Sequence, residues 1–106
     1  MKLKLFVAAT LIATQAQAAE VTLGRGGSDN VFVWRDGDAH SEAINLISAG
    51  VHNSNPTLVM RLLSCIVPAG TKAIITDAGF ASHTILITSG DDAGCRGDIA
   101  AEDVAR

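Results

Sequence analysis

The chain has 106 residues, with eight basic and eleven acidic side chains, a formal charge of −3 and 48% apolar residues. That length supports one domain. The acids are scattered and no basic cluster is present to track phosphates, which argues against nucleic acid and anionic membrane surfaces as partners.

Residues 1–18 carry the three-part pattern of a cleavable secretory signal. Lys2 and Lys4 form a positive start, Leu5 to Ala13 an uncharged apolar run, and Ala16-Gln17-Ala18 places small residues at −3 and −1 of a cleavage point. The run is about half of the roughly 20 residues that a membrane span needs, so a membrane-embedded protein is not expected. Cleavage after Ala18 removes 18 of the 106 residues and two lysines, leaving 88 residues with a formal charge of −5 (−3 less two). The expected destination is the periplasm or the medium. A domain of this size has a marginal core. Its two cysteines, Cys65 and Cys95, are expected to form a structural disulfide, worth about 3–4 kcal/mol on the chain-entropy model.

Residues 19–30 are polar and rich in glycine and read as a flexible N-terminal arm able to add a short edge strand. Residues 31–106 are expected to form a single small β domain. Val31 to Trp34 is β-branched and aromatic and reads as a strand, stopped by the turn signal Asp36-Gly37-Asp38. Residues 39–49 read as an amphipathic helix capped by Asp38, with Ala39, Ala43, Leu46 and Ile47 on one face and Gly50 as a left-handed stop. Asn55-Pro56 opens a possible helical turn near 56–60. A strand follows from about Arg61 to Val67, with Leu63, Cys65 and Val67 sharing a face. Lys72 to Thr76, Phe80 to Thr88 and Cys95 to Ile99 read as further strands, and Ala100 to Asp103 as a helical turn. Short strands at this spacing predict a mainly β fold, a small barrel or a bent sheet.

Gly70-Thr71-Lys72-Ala73-Ile74-Ile75, then Ile85-Leu86-Ile87 and the Gly90–Gly94 turn, then Gly97-Asp98-Ile99 with Ala100 to Val104, resemble the pattern of bacterial Src-homology-3-like domains over about residues 70–104. The resemblance implies a small barrel with Val31 to Trp34 as its first strand and the helix at 39–49 inside its first long loop. Asp98 stands where that pattern has an aromatic residue.

Little of the remaining chemistry converges. His40 lies near Asp36, Asp38 and Glu42, but Ile44, not a second ligand, follows at i+4, so no metal site is expected. Asp36-Gly37-Asp38 lacks the later glycine and acid of a calcium loop. Arg96-Gly97-Asp98 spells an adhesion tripeptide but falls in a strand. Ser64 has no glycine elbow, and no base with an orienting group is evident, so no enzyme and no cofactor are expected. The reading is a small exported, non-enzymatic binding module of the bacterial envelope, whose partner is an envelope protein or a cell-wall component. Trp34, Arg35, Asp36, Asp38 and His40 are the candidate binding residues, because loops on a rigid scaffold carry function and Trp and Arg anchor interfaces. Burial of Trp34 in the core is the competing expectation. The alternative function is an inhibitor or effector of an envelope enzyme, acting through the acidic loop Ser89 to Gly94.

Overall fold

The computed structural model describes residues 19–105; the expected signal, residues 1–18, lies outside them. Strands β1 (Glu20–Thr22) and β2 (Asn30–Trp34) come first, followed by helices α1 (Gly37–Ser48), α2 (Val51–Ser54) and α3 (Pro56–Met60). Strands β3 (Leu63–Pro68), β4 (Lys72–Ala78), β5 (Ser82–Ile87) and β6 (Arg96–Ala100) complete the sheet before a 3-10 turn at Ala101–Asp103. The fold is mainly β: among the described residues the six strands form one unclosed antiparallel sheet, in the order β1-β4-β5-β6-β2-β3.

The expected elements fall close to where the residue pattern puts them, and the differences have local causes. Asp36, not Asp38, caps α1: its carboxylate accepts from the Ala39 backbone N–H at 2.8 Å, and Asp38 lies in the first turn. The segment expected as a flexible arm supplies β1, which pairs with β4, and its Leu23 is among the most buried side chains of the domain. The Leu23 backbone N–H donates to Thr71 and its carbonyl accepts from Gly70, so the folded unit begins well before Val31. An apolar side chain that reaches a core holds its flanking backbone even where the surrounding sequence is glycine-rich.

The sheet bends around a core of Leu23, Val31, Val33, Val67, Ala73, Ile85, Ile87 and Ile99. Alternation along the strands sends these residues inward. A second cluster lies on the outer face, where α1 and α3 cover the end of β2: Trp34, Ala39, Ala43, Val59 and Leu62, with Leu46 and Leu63 against them. The α1 face that packs is Ala39, His40 and Ala43, while Ile44 and Ile47 remain exposed.

One seam of the sheet is thin. β2 pairs with β3 at five positions but with β6 only at Trp34↔Asp98. There β6 passes so close to β2 that a Cβ on Gly97 would overlap the Trp34 carbonyl oxygen and come within 2.7 Å of Val33 Cγ1. The Cys65–Cys95 disulfide is formed and spans this seam, joining edge strand β3 to the residue that precedes β6.

Candidate functional site

The clearest polar feature of the interior joins α1 to β6. His40 sits one turn into α1, on its packed face, and Asp98 sits in the middle of β6 beside Trp34. His40 Nδ1 lies 2.6 Å from Asp98 Oδ2, and both residues are more than nine-tenths buried. Ser82 Oγ donates to the other carboxylate oxygen at 3.3 Å. The Trp34 indole stacks on the imidazole, with centroids 6.0 Å apart and an interplanar angle of 17°, and Phe32 meets Trp34 edge-on. Among the described residues His40 Nε2 has no hydrogen-bond partner.

Two adjoining hollows open above this pair, sharing His40, Ile44, Ala100 and Glu102 in their walls. The larger, about 390 Å³, extends past Trp34 and Phe32 to Asn30, Ser28 and Arg25. The smaller, about 290 Å³, extends past Asp98 to Ala81 and Ser82 at the start of β5. Together they form a groove between α1 and the C-terminal turn. Arg25 closes one end, its guanidinium 2.7 Å from Asp103 and 3.6 Å from Glu102. The hydrogen bond to Asp103 raises the Arg25 pKa further above its already high ordinary value, and so keeps the side chain charged.

Of the five expected binding residues, Trp34 and His40 line the groove. Trp34 is only 6% exposed and belongs to the helix-side core, contributing to the groove floor. Asp36 is engaged in capping, and Arg35 and Asp38 are exposed outside the groove walls. The residue pattern did not bring forward Asp98, Ser82, Phe32 or Ile44. For Asp98 a signal existed: an acid between Gly97 and Ile99 in a short strand is either at an edge or paired, because an unpaired buried carboxylate is too costly. Its burial also withdraws the Arg96-Gly97-Asp98 tripeptide from any receptor.

The chemistry open to this arrangement is limited by its order. Serine, aspartate and histidine are together, but the aspartate is in the middle, so the Ser82 hydroxyl meets Asp98 and not the imidazole. Nucleophilic catalysis needs the base on the hydroxyl and the carboxylate behind the base. His83 is half-buried, its Nδ1 accepting from the Gly79 backbone N–H at 3.2 Å, and His52 is exposed. Among the described residues no group of three or more His, Cys, Asp or Glu side chains is placed to hold a metal ion. Comparison of the chain with family models, curated proteins and solved structures finds no match.

Proposed function

We propose that this protein is a small exported, non-enzymatic binding module of the bacterial envelope, and that the groove between α1 and the C-terminal turn receives a segment of an envelope protein. The observation that carries the reading is the groove's composition. Phe32 and Ile44 stand about half exposed on its walls, over a floor fixed by the buried His40–Asp98 pair. Exposed apolar side chains held by a rigid polar support suit the insertion of an apolar anchor from a partner. Export is supported by the signal pattern of residues 1–18 together with the formed disulfide, since such bonds persist in oxidising compartments. No helix of the described residues is long and apolar enough to cross a membrane. A Src-homology-3-like arrangement, with its strands in an unclosed sheet instead of a closed barrel, is the fold proposed to go with this reading. It is supported by the packing of six antiparallel strands around one core, by the short connection from Pro68 of edge strand β3 to Lys72 of β4, and by the backbone bonds of Leu23 with Gly70 and Thr71 in that connection.

A photo-crosslinking residue placed at Phe32 or Ile44, in the protein expressed in a bacterial envelope, tests the reading. Discrete protein adducts from both positions, and none from exposed Met60, are expected. Adducts of equal yield from all three positions, no adducts, or adducts only to cell-wall glycan would overturn it.

A second reading has one observation in its favour. The acidic loop Ser89 to Gly94 is braced at both ends: Ser89 Oγ accepts from the Lys72 backbone N–H, and the Cys95 N–H donates to the Asp92 carbonyl beside the disulfide. A braced acidic tip suits an inhibitor entering a cleft. Stoichiometric inhibition of a muramidase, abolished by D91A/D92A, would favour it.

A further inference from the structure

The charges around the groove do not balance. Two carboxylates share its one guanidinium: Asp103 lies 2.7 Å from Arg25 and Glu102 lies 3.6 Å away. The Asp103 side chain is largely covered and hydrogen-bonded to Arg25, whereas that of Glu102 is 65% exposed and has no hydrogen bond among the described residues. Glu102 is therefore the carboxylate in excess, and it stands where the two hollows adjoin, beside His40 and Ile44. The uncharged groups point the same way. His40 Nδ1 is engaged by Asp98, which leaves Nε2 as the ring's free polar atom. With Nδ1–H donating to Asp98, Nε2 of the neutral imidazole holds a lone pair and accepts. The Phe32 ring, about half exposed, stands at 81° to the Trp34 indole, and the face of such a ring attracts cations.

We propose that the anchor entering this groove is a cationic side chain on an aliphatic stem, a lysine or arginine of the partner segment. Its methylenes lie against Ile44 and Phe32, and its N–H donors meet the Glu102 carboxylate and His40 Nε2. A carboxylate, a nitrogen lone pair and an aromatic face each lack what a cation brings, and the half-exposed Ile44 suits the stem that carries it. An aliphatic anchor without a charge would cover Glu102 and the imidazole nitrogen and leave both without a donor, which costs free energy. An acidic anchor would bring a second negative charge to Glu102. The chain's own formal charge of −3 steers basic segments toward it in the same sense. The inference rests on the groove being the partner site, and adds which chemistry that site selects.

Titration of the exported protein at low ionic strength with n-butylammonium, n-butylguanidinium, n-pentanol and n-pentanoate, probes of similar stem, tests the proposal. Binding is read from the nuclear magnetic resonance signals of Phe32, Ile44 and the His40 ring. Both cations are expected to shift these signals with dissociation constants of about 1–10 mM. The tighter of the two identifies lysine or arginine as the better anchor. Pentanol is expected to bind at least about fivefold more weakly, and pentanoate more weakly still. E102Q should weaken the cations about threefold and leave pentanol unchanged. E42Q removes the same charge from the exposed side of α1 near Arg61, outside the groove, and should change neither. Pentanol binding as tightly as the cations, or E42Q acting as strongly as E102Q, would overturn the proposal while leaving the groove open to a partner. No shift from either cation at about 100 mM would also overturn it. The partner reading fails separately, through the crosslinking at Phe32 and Ile44.

Discussion

His40 Nδ1 lies 2.6 Å from Asp98 Oδ2, and this contact is the one buried polar link between the helical layer and the sheet among the described residues. Removing Asp98 leaves His40 buried without a partner, and removing His40 leaves the Asp98 carboxylate with only the Ser82 hydroxyl at 3.3 Å; breaking a buried pair in this way costs about 3 kcal/mol or more. D98A and H40A are each expected to lower the urea-unfolding free energy by about that amount. D98N keeps an acceptor for an imidazole N–H and is expected to lose less than half as much. Because the two residues share one interaction, D98A/H40A should cost at least about 1 kcal/mol less than the sum of the single losses. Additive losses would show that the pair is packed together without interacting.

The assignment of the helix cap is equally open to test. Asp36 Oδ1 accepts from the Ala39 N–H, while Asp38 makes no capping bond. D36A is expected to cost about 1 kcal/mol, lowering the melting temperature by roughly 4–8 °C for a domain of this size. D38A loses only a favourable interaction with the helix dipole, a few tenths of a kcal/mol. Equal shifts from the two substitutions would contradict the geometry.

These two sites also mark how far the sequence carries. The helix was legible within two residues because its periodicity is local, and the strands were legible because β-branched runs and turn residues alternate at short range. The choice of Asp36 over Asp38 was not, since both are good capping residues and the outcome depends on where the chain leaves β2. The disulfide was legible for a different reason: two cysteines allow only one intramolecular pair. The candidate site was half legible. His40 and Trp34 were named, but the partner of His40 lies 58 residues away and is set by which strand passes beneath α1. Arg35 and Asp38 suggested a binding loop through their residue types, and the fold turns them away from the groove. Phe80 was expected to open a strand running to Thr88, but the strand begins at Ser82 and Phe80 lies exposed in the turn before it.

The disulfide's work is local to the thin seam. β2 and β6 share one paired position, so the β2–β3 pair and the helices are held to the remaining sheet by few backbone bonds, and the Cys65–Cys95 bridge spans that gap. C65S/C95S is expected to cost about 3 kcal/mol overall. The loss should be uneven. In hydrogen exchange, the β2 and β3 amides should lose more protection than those of β4 and β5, whose ladder of five pairs is independent of the bridge. Uniform loss across the sheet would assign the bridge to the unfolded state alone. Alkylation of the untreated protein is expected to add no mass before reduction.

Gly97 completes the same seam from the other side. A Cβ there would overlap the Trp34 carbonyl oxygen, a backbone atom flanked by the buried indole and by Val33, so the neighbour cannot turn aside as a flexible side chain would. G97A must therefore push β6 away from β2, weakening the Trp34↔Asp98 pairing and the support beneath His40. Overpacking with backbone displacement costs about 3 kcal/mol. Trp34 is the chain's one tryptophan, so its emission reports this place directly: G97A should shift it to longer wavelength and lower the unfolding midpoint together. G26A, where a Cβ meets nothing within 4 Å, should change neither. A G97A protein with unaltered emission and midpoint would mean that the two strands do not approach as closely as the seam requires.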